Sequence, residues 1–343
     1  MELRKVQETG KGTLFLSLPK AWARHQNLKK GSFIAIRERL DGCLILDPAY
    51  EEEGEMQEAI ILYPQKTMEY IEWGITGAYL LGYDVISIQG KKRIKPEDRG
   101  RIKNAIRSLI GLEILEEHAY GIQVQCLIDS SLLMPARLLR RKNSITISML
   151  IDALTALMES DRHLAEVIVK RDDEVDRLYF LLVRLLRSAI RSPKLAEKFR
   201  ITPIQCLDYR VAATLMETIG DYAVDVAEDV LGLTPFNFEH KILSSIKNVS
   251  ETLEEMQNSA VNGFLTMSVK ALLEVHQRYD SLLKQLNNFN EEIGKLPSSQ
   301  ITYLSSISSS LEKIARANLD ITDLTAPIGL LEKGRDWMRL LRE

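Results

Sequence analysis

From about Asn143 to residue 325, apolar side chains recur at alternating intervals of three and four, as in Ile147, Ile151, Leu154 and Leu157, then Leu164, Ile168, Val175, Leu178, Leu182 and Leu185. That spacing gathers them on one face of a 3.6-residue helix and would scatter them over both faces of a strand. More than half of the chain is thereby committed to amphipathic helices. Breaks near Ser160, Ser192–Pro193, Thr234–Pro235, Gly263 and Gly294–Pro297 divide this stretch. Six helices are predicted, at roughly 144–159, 161–192, 203–232, 237–260, 264–293 and 298–325, with a terminal helix after Pro327. Connections this short make neighbours antiparallel, so the expected architecture is an all-α bundle.

The bundle carries an internal repeat. Glu217–Glu228 aligns with Glu312–Asp323, with Glu217/Glu312, Ile219/Ile314 and Asp225/Asp320 identical. Two three-helix repeats follow, 143–235 and 236–343, the second including the terminal helix.

The first 143 residues read differently. Residues 1–48 hold nine Lys/Arg against five Asp/Glu, whereas 144–343 hold twenty-three against twenty-nine, so a basic head sits on an acidic body. Strand-like ELRKVQE and TLFLS flank Thr9-Gly10-Lys11-Gly12, a stretch suited to a tight reversal. Ser17 and Pro19 signal a helix start, with a hydroxyl cap and a ring that pre-sets φ. Two further strands flank the hairpin dipeptide Asp41-Gly42. Trp22, beside Leu18, is expected in the head's core. Forty-eight residues build little core alone and generally borrow one from a partner.

Beyond an acidic linker, Glu51–Glu55, residues 56–130 read β-α-β-α-β-β, a small α/β sandwich with its helices on one face. Arg99, Lys103 and Arg107 fall at i, i+4 and i+8 of its second helix. They make either a solvated face or an anion-receiving one. No glycine-rich phosphate loop and no nucleophile–base pair occurs, which argues against an enzyme and leaves no catalytic candidate.

The chemistry concentrates on the third bundle helix. Glu217, Asp221, Asp225 and Glu228 share one face, and no Lys or Arg lies between Arg210 and Lys241, an interval with six carboxylates. Acid pairs at i, i+4 repel, and an ordinary surface helix interleaves them with bases. A second fork, Asp172-x-x-x-Asp176, lies on helix two, and antiparallel packing would face the forks. Oxygen-only ligation suits Mg, Ca, Mn or a carboxylate-bridged iron cluster, not zinc or copper. A hydrated acidic face without metal is the alternative. Gly220, inside the acid-bearing helix, predicts close helix approach. Three separated cysteines and the absence of a long uncharged apolar run point to a cytoplasmic chain without membrane insertion.

Two resemblances follow from particular residues. The head, RKVQETGKGTLFLSLPKAWARHQNLKKGSFIAIRERLDGCLIL, resembles the AbrB/SpoVT swapped-hairpin family through TGKGT, LSLPKAW and LKKG together. That resemblance implies a small β domain interleaved with a second copy as a homodimer. It also implies DNA as partner, with Arg4, Lys5, Lys11, Lys20 and Arg24 as phosphate contacts. The body, MLIDALTALMESDRHLAEVIVKRDDEVDRLYFLLVRLL followed by LMETIGDYAVDVAEDV, resembles the PhoU family of phosphate-uptake regulators. Its two three-helix repeats carry E/D-x-x-x-D motifs that hold iron or other metals in some relatives. Carried over, this makes Asp172, Asp176, Glu217 and Asp221 ligands. Repeat two departs, since His276-x-x-x-Asp280 replaces the first pair and Arg316 takes the place of the second aspartate, so one competent cluster is expected. The function implied is a DNA-binding transcriptional regulator of phosphate homeostasis with a metal-binding sensor bundle. The alternative is a dimeric adaptor that docks on a phosphate transporter ATPase or a sensor kinase without touching DNA.

Overall fold

The computed structural model describes residues 3–10, 12–38, 42–48, 56–233 and 238–325. Acidic linker residues 51–55 and everything after Thr325, including the expected terminal helix, lie outside these. The chain divides into two compact units, Met1–Met56 and Gln57–Glu343.

In the first unit, β1 (Gln7–Glu8) pairs antiparallel with β2 (Leu14–Phe15), and β3 (Ala35–Glu38) with β4 (Leu44–Asp47). The first reversal is closed by the Gly12 amide donating to the Thr9 carbonyl at 2.9 Å, with Gly12 at φ +81, a conformation open to glycine. Between the hairpins lies α1 (Lys20–His25). Its cap is Pro19, with no side-chain bond, which corrects the expectation for Ser17: that hydroxyl accepts from the Arg4 guanidinium at 3.4 Å. No described residue of this unit is buried. Trp22 is only half-covered, again against expectation, and Phe33 and Leu3 stand 88% and 83% exposed. One copy of the unit has no interior in which to bury them.

The second unit opens with a four-stranded sheet. β5 (Glu58–Tyr63) runs parallel to β6 (Val85–Gly90), which pairs antiparallel with β8 (Gly121–Cys126). That strand in turn pairs with β7 (Leu112–His118), giving the order β5-β6-β8-β7. α2 (Glu69–Leu80) and α3 (Pro96–Arg107) make the connections. Ile71, Ile75 and Tyr79 of α2 and Ile102 and Ile106 of α3 close over Ile86, Ile88 and Val124 in one apolar layer. The basic residues of α3 are largely spent inside this module. Arg99 and Lys103 both reach Glu117 of β7, at 2.7 and 2.9 Å, and Arg101 clasps Glu69 and Glu72 of α2.

The rest is helical: α4 (Pro135–Glu159), α5 (Arg162–Arg191), α6 (Pro193–Phe199), α7 (Pro203–Gly232), α8 (His240–Thr266), α9 (Val269–Ile293) and α10 (Ser298–Asp323). Several features differ from the sequence expectation, among them the start of α4, an added helix and the end of α8. α4 starts nine residues before the expected 144, because Pro135 at its first position follows extended Met134. α6 is an additional helix, opened by the Ser192 hydroxyl accepting from the Leu195 amide and closed by left-handed Arg200. Gly263 does not end α8; it lets the helix run past Ala271, whose Cβ lies 2.6 Å from where a Gly263 side chain would begin. Leu154, Ile168, Leu182, Met216, Ile219, Leu253, Leu286 and Leu311 share one continuous core.

α5 also holds the sheet module. Buried Arg184 donates to the carbonyls of Tyr79 and Tyr83, at 2.6 and 3.1 Å, and stacks over the Tyr79 ring, satisfying oxygens that the end of α2 leaves open. The same helix carries Asp172 and Asp176, about two to three turns before this anchor.

Candidate cation site on the helical body

The acidic forks meet where α4, α5 and α7 pack together. Gly220 makes this possible. A Cβ there would sit 3.3 Å from Val175 Cγ1, 3.5 Å from Asp172 Oδ1 and 3.7 Å from Thr146 Cγ2. The missing side chain lets α7 lie against both neighbours, as the sequence suggested. It puts Glu217 and Asp221 of α7 within electrostatic reach of Asp172 and Asp176 of α5.

The four carboxylates are poorly compensated. Among the described residues none of them makes an ion pair or a hydrogen bond, and Asp172 Oδ1 is buried without a partner. Of the bases in this region, Arg171 pairs with Asp152 at 2.7 Å and Arg141 with Glu174 at 2.7 Å, while the charge of Arg210, which donates to Thr214, acts on Glu217. Burial pushes all four carboxyls above the ordinary range. For Asp172 this desolvation, reinforced by the charges of Asp176, Asp221 and Asp173, raises the pKa to about 6. Asp225, the fifth candidate, stays exposed a turn farther along α7. Its charge acts on Asp221 and Asp229 rather than on the α5 pair.

One charged group in this site was absent from the sequence reading. Lys142 of α4 is fully buried beneath the four acids, donates to the Ala213 carbonyl at 3.1 Å and lies 4.8 Å from the Tyr179 ring centroid. Desolvation lowers its pKa to about 8, while Glu217, Asp176, Asp221 and Asp172 pull the other way. Four negative charges thus face one buried positive charge, with Arg210 adding a second only at Glu217. The donors are all hard carboxylate oxygens, one of them buried and unpaired, which is the chemistry of Mg, Ca, Mn or iron ligation. In the present side-chain arrangement no three acidic, histidine or cysteine groups among the described residues converge on a single ion position. Closing a first shell requires rotamer changes in side chains that are half or fully exposed.

The helical body that carries these residues is similar to known proteins. Residues 139–230, spanning α4 to α7 and all five acidic candidates, match the family model for the PhoU domain. The helical body is PhoU-like. A Clostridium acetobutylicum protein described as a phosphate-specific transport system accessory protein PhoU homolog is 27% identical over 201 residues. The alignment covers 54% of this chain and 87% of that relative. The crystal structure of the phosphate transport system regulatory protein PhoU from Streptococcus pneumoniae superimposes with a TM-score of 0.51 at 16% identity. It covers 59% of this chain and 94% of that one, a likeness of fold. PhoU from Pseudomonas aeruginosa gives 0.45 at 18% identity, with 56% and 93% covered.

In the second half of the PhoU-like bundle the corresponding positions are taken up by internal pairs. His276 of α9 lies 3.1 Å from Asp323 of α10 rather than joining Asp280, and Arg316 pairs with Asp320 at 3.3 Å. Two of the four corresponding positions thus carry a basic side chain, His276 and Arg316, each already paired with an acid.

The DNA candidates lie in the other unit. Lys20 and Arg24 are one turn apart on α1, and Arg4 reaches back to Ser17, three residues before Lys20. Lys5 follows Arg4 on the arm leading into β1, and Lys11 lies outside the described residues.

Proposed function

We propose that this chain is a PhoU-like regulator of phosphate uptake in the cytoplasm, whose acidic set on α5 and α7 holds a hard metal ion and whose N-terminal unit binds DNA as a homodimer. The observation that carries the metal half is the set of four carboxylates, three half-buried and Asp221 exposed, unpaired among the described residues and all with raised pKa, inside a PhoU-like bundle. A folded protein tolerates such repulsion where a ligand relieves it, and Asp172, Asp176, Glu217 and Asp221, extended by Asp225, supply only oxygen donors. Lys142 supplies one fixed positive charge and limits how much further charge the site takes. When bound, the ion would neutralise the carboxylates and draw α5 and α7 together.

The regulatory role is supported by the relative described as a phosphate-transport accessory protein. No helix among the described residues is long and apolar enough to cross a membrane, so action at a transporter runs through contact with it. Support for the head comes from its exposed apolar residues, Leu14, Phe15, Leu16, Phe33, Ile36 and Leu44, which call for a second copy. A basic helix and arm beside them suit phosphate contacts.

A titration of the full chain against DNA over a range of salt tests this reading. Affinity that falls steeply with salt, and is lost in a Lys11→Ala/Lys20→Ala variant, supports the regulator. Binding no tighter than that of residues 57–343 alone refutes DNA recognition by the head and favours the adaptor that docks on a transporter ATPase or sensor kinase.

A further inference from the structure

The two edges of the four-stranded sheet are built in opposite ways. β7, at one end, has a bulge between Ile114 and Glu116 and carries the exposed acids Glu113, Glu116 and Glu117. Irregularity and charge of this kind keep a free edge from pairing with another chain. β5, at the other end, runs Glu-Ala-Ile-Ile-Leu-Tyr in unbroken register with β6, without bulge, proline or lysine. Among the described residues β6 is its only neighbour in the sheet. Gln57 and Tyr63 turn their carbonyls to the β6 side, accepting from the Val85 and Lys91 amides at 3.1 Å, so the alternate residues Glu58, Ile60 and Leu62 turn theirs off the edge. The Gln65 side chain, which donates to the Leu62 carbonyl at 2.8 Å, marks that direction.

Side chains along this edge are apolar where water contact calls for polar ones. On the sheet face away from α2 and α3 the inner strands present Ser87, Gln89, Gln123 and Gln125. β5 presents Ile60 and Leu62 on the same face, 57% and 51% exposed. α2 continues the apolar band on the helix side. Its Glu69 and Glu72 point to Arg101 of α3, and the opposite flank overhangs β5, since a Cβ on Gly74 would lie 3.1 Å from Ile61 Cδ1. Tyr70, Gly74, Gly77 and Leu81 share that flank at i, i+4, i+7 and i+11. Tyr70 and Leu81 are exposed, Trp73 is 65% exposed with its ring 5.6 Å from that of Tyr70, and open space surrounds the place of a Gly77 side chain.

We propose that two copies of this chain join through β5, edge to edge and antiparallel, into one eight-stranded sheet. A two-fold axis at Ile60 sets Ile60 against Ile60 of the second copy and Glu58 against Leu62, so no like charges meet. The same operation at Leu115 of β7 would set Glu113 against Glu117. The axis at β5 keeps both copies of α2 on one face of the joined sheet, each overhanging the seam, with Gly77 leaving room for close approach. A foreign strand would use the β5 backbone and leave the α2 flank bare. Four aromatic rings, at about 200 Å² each and half exposed or more, contribute roughly 450 Å². Ile60, Leu62 and Leu81 of each copy and the two strand edges bring the total toward the roughly 1,200 Å² at which stable interfaces begin. This contact belongs to the second unit and holds whether or not the head recognises DNA.

A full-length Ile60→Cys/Cys43→Ser chain tests the pairing, Cys43 being exposed and Cys126 and Cys206 buried. Residues that face each other across antiparallel strands have Cα atoms about 4.5–5.5 Å apart, within disulfide reach. Mild oxidation should link two copies through position 60 in most molecules, while a Leu115→Cys/Cys43→Ser chain, altered on the β7 edge, stays unlinked. Equal linkage at the two positions, or none at position 60, overturns the pairing. Ile60→Lys, which charges the edge and leaves the core untouched, provides the second readout. Amide exchange at Glu58 and Leu62 should speed up at least tenfold over the wild type, while that at Ile86 and Ile88 stays unchanged. Equal exchange at Glu58 and Leu62 in variant and wild type refutes the proposal.

Discussion

Replacing Asp172 with asparagine removes a charge and keeps the shape. In the fold this carboxyl titrates at about 6 against an ordinary 3.8, chiefly because burial disfavours its charged form. A raised carboxylate costs stability wherever it is ionised in the folded state. The cost is complete above pH 6, shrinks as pH falls from 6 towards 3.8, and is gone below both values. The full difference is worth about 3 kcal/mol, and half-exposure to solvent cuts this to roughly 1.5 kcal/mol. Asparagine forfeits no bond, since Asp172 Oδ1 has no partner to lose. Asp172→Asn is therefore expected to raise the melting temperature by about 3–5 °C at pH 7.5 in chelator-treated buffer, and to leave it unchanged near pH 3.5. Added Mn should reverse the order by stabilising the wild type alone. Differential scanning fluorimetry over this pH range reads both effects. Destabilisation by asparagine at pH 7.5 without metal, or a gain that persists at low pH, would show that the carboxylate is not held at an electrostatic cost.

Arg184→Leu strips three carbonyls at the end of α2 of their donor and should cost about 2–4 kcal/mol, measured by urea unfolding of the full chain. Gly220→Val has Val175, Asp172 and Thr146 on three sides, so overpacking outweighs any gain in helix propensity, with about 2–3 kcal/mol lost and α5–α7 spacing widened. Lys142→Met removes the buried ammonium under the acids. Tighter divalent-ion binding in calorimetry is expected, because the competing positive charge is gone, together with lower metal-free stability above pH 6. Phe33→Ser in the head should weaken self-association in sedimentation velocity and leave the far-UV signal of the bundle intact.

What the chain announced in advance depended on whether the deciding contact was local. Periodicity located the long helices because core contact recurs every turn. The order β-α-β-α-β-β was legible because strand and helix signals alternate cleanly there. α6 escaped because seven residues hold too few turns for a period to show, although Ser192 and Pro193 carried its start signal. Placing the start of α4 at 144 concealed Lys142. Its register with Leu139, Thr146 and Met149 on the buried side of that helix was the available clue, yet nothing local says that a lysine on an apolar stripe lies under carboxylates from two other helices. The two forks were found because each is an i, i+4 pattern within one helix. Gly220 was readable for the same reason: a glycine in mid-helix costs about 1 kcal/mol unless something packs against it. The pairing of His276 with Asp323 was not readable, because the two are 47 residues apart.

Everything said of the sensor half turns on whether the carboxylates of α5 and α7 hold a metal ion. Elemental analysis of full-length protein purified without chelator, set beside an Asp176→Ala/Asp221→Ala variant prepared identically, measures this directly. A stoichiometric hard metal in the wild type that disappears from the variant is the predicted result. Equal metal in both, or none in either after incubation with Mn or iron, would contradict it.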